Sequence, residues 1–534
     1  MRLRIFASQA NGEMHSKVLR WGKRLRMRSW KSMLAILLAL LMVISVVACG
    51  RDPVDTSGEG KNPSDTKPSN GRDAIEDSVP DDLSYADRED NTIMFFVRNN
   101  GDMYKYEICC EELLNDTLYD QIHYRNIDVE NRLGVKIRQQ GQNGSWGERE
   151  NWFAVLSTAV NTGSNDYDAA AIYASAGAPY VLQNLYYDVW DLSVSNGGYL
   201  DLEKPWWNSS IVDECTVYGS LYFLAGDLTV SGTSATQLLL FNKDLFAQKF
   251  PDDNVATLYN LVETDAWTIE RMTEYVSQVW DDTNLTGMID DGDVVGLKYW
   301  PKTESSAMDA WMDAMNVDVL HRDEYGDYSI ADFSPKLIPA FEQVKKLYTS
   351  YGALSSANYK DEDLTNLANG NTLFVVGSVG DGALYRTSTV KYGILPMPKY
   401  DDMQENYANS VGTYSSLVVI LSHLNDERAK MVSAVLEVMA AESYKQVTPV
   451  YYSKVITGQY SKDEEDARMF DIVLENANYS FASLYAGSLD SGTLTNFFRD
   501  LNRDVQQLID TKSQNVWPTK LQSLLQGLED LSFQ

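Results

Sequence analysis

The stretch LFVVGSVGDGALYR, Leu373–Arg386, sets an apolar run ahead of three glycines and a helix-like segment. A strand, a glycine turn and a helix can cradle a phosphate on backbone N–H groups. The spacing argues otherwise. Gly377, Gly380 and Gly382 read G-x-x-G-x-G, the reverse of the dinucleotide fingerprint, and no Gly-Lys-Ser/Thr follows. What survives is the physical need for glycine: backbone must come close to something at a strand's end. Ser378, Asp381 and Arg386 are the polar side chains there. Such groups hydrogen-bond hydroxyls in fixed directions.

A second stretch, DTNLTGMIDDGD, reads as a twelve-residue calcium loop. Asp282, Asn284, Thr286, Asp290 and Asp293 fall at positions 1, 3, 5, 9 and 12, with Gly287 at 6 and a helical pattern entering it. It departs from the pattern in having Asp at 12 rather than the longer Glu, and no clean exit helix. A structural calcium ion is the expectation, against an acidic solvated turn; no other cofactor is expected. Catalytic patterns are missing. The four histidines, 15, 123, 321 and 423, are scattered, and there is no H-E-x-x-H, G-x-S-x-G or Walker loop. Glycoside hydrolysis needs only two carboxylates, so a secreted glycoside hydrolase stays open.

The elements that must position these groups follow from periodicity. NTIMFFVRN, a helical segment through Leu118, Ile122, Ile127 and Leu133 stopped by Gly134, VKIRQQ, NWFAVLSTAVNTG and YDAAAIYAS alternate as β-α-β-α-β. This predicts an α/β lobe with a mostly parallel sheet. TQLLLFNKDLF, a helix at WTIERMTEYVSQVW capped by Thr268, the glycine turn and YGILPMPKY predict a second lobe. Thr413–Leu421 is long and apolar enough to cross between them. In such sheets a ligand sits beyond the carboxyl ends of strands, which singles out Tyr173 and, near a crossover, Asp227 and Tyr414. Trp300 and Trp311 are the stacking candidates of the second lobe. Trp311 alternatively shares a core stripe with Met308 and Met315. Trp206, Trp207 and Trp267 read as packing residues. One of Tyr451 and Tyr452 is expected at the cleft, with the choice between them open.

The ends bound the rest. A basic stretch from Arg20 to Lys31 precedes the uncharged, apolar Ser32–Ala48, which closes on VVAC. This describes an export signal, and its last residues resemble a bacterial lipobox with Cys49 as the lipidated residue. Residues 49–84 are rich in Asp, Ser, Gly and Pro and read as a tether that cannot bury enough apolar surface to fold. About 450 residues remain, suited to two lobes. The net charge is −31, and −39 beyond residue 48, from 36 Lys and Arg against 75 Asp and Glu. That excludes nucleic acid as an expected partner. Cys109, Cys110 and Cys215 make no disulfide framework.

Several segments together resemble the extracellular solute-binding proteins of bacterial ABC importers, in their carbohydrate-binding group. They are YRNIDVENRLGVKI, YDAAAIYASAG, KPWWN, LYFLAGDLT, LLLFNKDLF, WTIERMTEYV, ANGNTLFVVGSVGDGALYR, KYGILPMPKYD and VTPVYYSKVITGQYSKDEEDARMFD, in order from about 91 to 490. The resemblance implies a two-lobed, type II periplasmic-binding-protein-like fold joined by crossing strands. It places the first lobe at 85–229 plus about 412–445 and the second at 230–411 plus about 446–534. It implies a monomer, lipid-anchored at the extracellular face of the cytoplasmic membrane, that binds a carbohydrate and delivers it to the permease's transmembrane subunits without a chemical step. A binder of peptides or other solutes is the other expectation kept.

Overall fold

In the computed structural model, residues 72–299, 306–323, 326–332, 334–355, 367–382, 388–456, 464–490 and 497–533 are described. Cys49, Trp300 and Arg386 lie outside them.

The predicted β-α-β-α-β opening is present. Thr92–Arg98 (β1) leads to helix Thr117–Leu133 and Lys136–Gln142 (β2), then helix Arg149–Thr162 and Ala169–Tyr173 (β3). Each helix stops on a left-handed glycine, Gly134 at φ 65° and Gly163 at φ 64°, where other residues are strained. The helix Thr117–Leu133 starts on Asp116, whose carboxylate accepts the N–H of Leu118 (3.0 Å) and Tyr119 (3.4 Å). Asp116→Ala is expected to lower unfolding free energy by about 1 kcal/mol. Urea denaturation would measure it, and an unchanged midpoint would contradict the capping role.

The second lobe follows. Gln237–Asn242 (β4), Trp280–Asp281 (β5) and Val294–Tyr299 (β6) precede a small hairpin, Leu320–Arg322 (β7) and Tyr328–Ile330 (β8). Then come Ala353–Ser355 (β9), Thr372–Ser378 (β10), Tyr392–Leu395 (β11), Asn409–Ser410 (β12), Ser416–Ile420 (β13) and Ala477–Asn478 (β14). The first sheet runs β13-β3-β1-β2. Its β1 is parallel to β2 and β3, with Phe95 opposite Ala169, and β13 is antiparallel to β3, with Ser416 opposite Tyr173. The second runs β11-β4-β10-β6-β5, with β9 on β6, and is mixed: β4 lies antiparallel to β10 and β11. The architecture is α/β with two lobes.

Among the described strands the chain passes to the second sheet before β4 and returns to the first before β13. Leu224 bridges Val418 and Thr236 bridges Val411, so the outward and returning segments run side by side. A separate two-stranded sheet pairs β14 with β12 in parallel. The near-wholly buried helix Asp426–Glu442 covers the first sheet, fixed by a bidentate pair from Arg428 to Asp168 (both bonds 2.7 Å). Two expected boundaries shift. The first lobe keeps the chain past 446, because helix Thr448–Ile456 packs on Thr117–Leu133 and Lys454 reaches Asp116 (2.7 Å). The tether is shorter than 49–84: Asp77 pairs with Arg132 (2.6 Å) and Val79 is buried. Residues 77–528 accordingly form one body. The described residues outside it, 72–76 and 529–533, group as a second, small unit containing the 3₁₀ turn Arg72–Ala74. No helix among the described residues is long and apolar enough to cross a membrane.

Candidate functional site

Arg98 closes β1 and Tyr173 closes β3, so both sit at the carboxyl edge of the first sheet. The Arg98 guanidinium, 1% exposed, lies 3.9 Å from the ring centre of Tyr104 and 4.9 Å from that of Tyr173. Stacking on aromatic faces is a favoured setting for a guanidinium. It donates to the Tyr414 carbonyl (3.0 Å) and the Ser416 hydroxyl (2.8 Å), while its Nε finds no acceptor. Burial pulls its pKa down, and the Glu107 charge opposes that. Burial in turn pushes the Glu107 carboxyl up, against Arg98 and bonds from Ser231 and Ser416.

An open aromatic flank continues this face. Trp146, 55% exposed, sits 5.7 Å from Tyr173 at 55°, with the Arg149 guanidinium 4.2 Å from the indole centre. Neither Trp146 nor Arg98 stood out in the sequence.

The second wall is the turn after β10. Asp381 accepts both the Ser378 N–H and its hydroxyl, each at 2.8 Å, which folds the turn back on itself. The glycine requirement is now specific: a Cβ on Gly380 would fall 2.2 Å from Ser234 Oγ, on helix Val230–Ala235. The close approach is to protein rather than phosphate. Tyr414 hydrogen-bonds Ser378. Burial, then the Asp381 charge, raises its pKa well above the ordinary value. Tyr451 hydrogen-bonds Ser234, and burial raises it to about 12. Tyr452 packs on Phe470 at 4.8 Å, so Tyr451 is the member of the pair at this cluster.

Four predicted residues, Tyr173, Ser378, Asp381 and Tyr414, therefore converge around the crossing segments. Asp227 plays a supporting part: its carboxylate takes the hydroxyl of Thr448, which opens the helix carrying Tyr451. Trp311 does not belong. It is fully buried, with its indole N–H donating to the Tyr348 hydroxyl (2.7 Å), so the core stripe with Met308 and Met315 is correct. Trp206, Trp207 and Trp267 are buried as expected.

The acidic loop is organised by its own amides. Asp282 accepts N–H bonds from Thr286 (3.0 Å) and Gly287 (2.8 Å), Asn284 and Thr286 both donate to Asp290, and Asp293 holds Trp280 and Thr283. Among the described residues no three His, Cys, Asp or Glu side chains converge to hold a metal. The calcium expectation rests on spacing alone. A cavity of 690 Å3 lies elsewhere, beside the β7–β8 hairpin, where Tyr328 stacks on Phe481 at 4.4 Å and donates to Glu214 (2.8 Å). It shares no residue with the cluster.

No family model and no curated protein matches the sequence. Among solved structures, the fold is similar to a cyclo/maltodextrin-binding protein complexed with maltotetraose, at 11% identity and TM-score 0.50, covering 83% of this chain and 97% of that one. It is also similar to the galacto-N-biose-/lacto-N-biose I-binding protein of the ABC transporter from Bifidobacterium longum, complexed with lacto-N-biose. There the identity is 14% and the TM-score 0.51, with 80% and 97% of the chains covered. The shared feature is the two-lobed α/β fold.

Proposed function

We propose that this chain, with the two-lobed fold of solute-binding proteins, captures an oligosaccharide between its lobes and hands it to an ABC permease. The observation that carries the reading is the cluster at the strand ends. Sugars offer apolar C–H faces rimmed by hydroxyls. Flat rings from Tyr104, Trp146, Tyr173, Tyr414 and Tyr451 stand there beside the fixed polar groups of Arg98, Ser378 and Asp381. The two similar structures were solved with glycans, which supports a sugar over a peptide. The reading includes no chemical step. Glu107 is enclosed and bonded to Ser231 and Ser416. Lipidation of Cys49 would hold the protein at the extracellular membrane face, with residues 50–76 as the leash.

Titration calorimetry of the chain lacking residues 1–49 against a glycan panel tests this, with chromatography of the recovered ligand. The expected result is saturable binding of an oligosaccharide that comes back uncut. Turnover of the bound glycan would make the protein a hydrolase. Heats from a peptide panel alone would sink the sugar reading.

A further inference from the structure

One buried carboxylate ties the edge of the first sheet to two of the crossing segments. Glu107 follows the short helix Asp102–Tyr106 and is 1% exposed. One of its oxygens accepts the hydroxyl of Ser416, the first residue of β13. The other accepts the Ser231 N–H at 3.1 Å, in the first turn of the helix Val230–Ala235 that runs into β4. The Ser231 hydroxyl accepts the Ser416 N–H at 3.0 Å, and Arg98 donates to the Ser416 hydroxyl at 2.8 Å. All four residues are at most 1% exposed. The result is a closed ring of Glu107, Ser416 and Ser231, which joins the outward and returning crossings to the segment after Asp102–Tyr106, with Arg98 of β1 bonded to it at Ser416.

We propose that Glu107 is a positioning residue for solute capture: its charge, set against the Arg98 guanidinium, fixes the Tyr104 and Tyr173 face relative to both crossings. The inference rests on the reading of the cluster as a solute site, and Glu107 itself touches no solute. The need is for a carboxylate rather than any acceptor. Arg98 hydrogen-bonds a carbonyl and a hydroxyl, both neutral, and Glu107 is the carboxylate acting on its charge. A buried cation left without an opposite charge is strongly unfavourable, so its surroundings rearrange. Glutamine keeps the size and one acceptor oxygen but drops the charge. Because the partners lie on three separate stretches, that rearrangement reaches the edge of the cleft and the crossings together.

Hydrogen exchange of the full chain, without solute, is the decisive measurement. Glu107→Gln is expected to speed exchange about tenfold in peptides spanning 98–107, 229–236 and 411–418 while 237–242 and 372–376 stay protected. The double variant Arg98→Met with Glu107→Gln is expected to regain most of that protection, since the orphaned charge is gone. Wild-type exchange in the three segments of Glu107→Gln, or an even loosening of every peptide, would overturn the tie. Calorimetry with maltotetraose and lacto-N-biose forms the second arm. About tenfold weaker binding in Glu107→Gln supports the role in capture, and unchanged affinity overturns it. Failure of both sugars, and of the wider glycan panel, to bind wild type would overturn the solute reading and the capture role, while the exchange pattern still decides the tie.

Discussion

Replacing Tyr173 with alanine is expected to weaken binding of the proposed oligosaccharide about thirtyfold, whereas Tyr173→Phe is expected to stay within about threefold. The ring is half-buried at the end of β3, between the Trp146 indole at 5.7 Å and the Arg98 guanidinium at 4.9 Å. Truncation removes a flat apolar platform and opens one face of a buried cation to water. For a central aromatic anchor that is worth about 2 kcal/mol. Phenylalanine keeps the platform and loses only the hydroxyl. Calorimetry with the glycan returned by the panel measures both variants, and circular dichroism melts check that they fold. Affinity within threefold of wild type for the alanine variant would remove Tyr173 from the site.

The second large effect concerns stability and pH. Glu437 projects from the buried helix Asp426–Glu442 and is 0% exposed. One oxygen accepts the Trp207 indole N–H (2.9 Å) and the Asp201 N–H (3.2 Å), and the other has no partner. Burial raises its pKa from 4.5 to about 8, against the hydrogen bonds. Between those values the folded chain keeps a proton that the unfolded chain has released. Stability from this group is therefore complete below about pH 4.5, declines as pH rises, and levels off above about 8. The slope is about 1.4 kcal/mol per pH unit, for a total of roughly 5 kcal/mol across the window. Glu437→Gln removes the slope and is expected to be the more stable protein at pH 8. Urea midpoints of both proteins at pH 5, 6.5 and 8 measure the difference, and this comparison cancels other buried acids such as Asp313. Parallel pH curves would show that Glu437 is ionised in the fold.

Sequence reasoning reached what is local. The β-α-β-α-β opening, the glycine stops at 134 and 163 and the Thr268 cap are set by residues a few positions apart. Tyr173, Ser378, Asp381 and Tyr414 were legible because strand ends are legible. Arg98 was not: in FFVRN it reads as the wet end of a strand. Its burial depends on Ser416, 318 residues further along. Glu107 was hidden for the same reason, since its partners lie 124 and 309 residues away. Trp146 opens the single 3₁₀ turn Trp146–Glu148, too short for a period that would reveal its face. The calcium expectation shows what spacing leaves undecided. The acids are correctly spaced, but spacing does not say whether carboxylates turn toward a shared centre or toward the loop's amides.

The antiparallel pairing of β13 on β3 has a consequence for how the chain comes to fold. Residues 169–173 wait for 416–420 before their sheet is complete, and the intervening chain must already have laid down much of the other lobe. Neither lobe is a contiguous piece of sequence, so the order of synthesis does not hand over a finished first half. Closing a loop of that length is slow compared with forming helices and neighbouring strands. Until the closing strand arrives, the apolar edge of β3 is an exposed template for wrong partners. The topology that builds two lobes from interleaved stretches of chain thus also keeps the nascent protein open late.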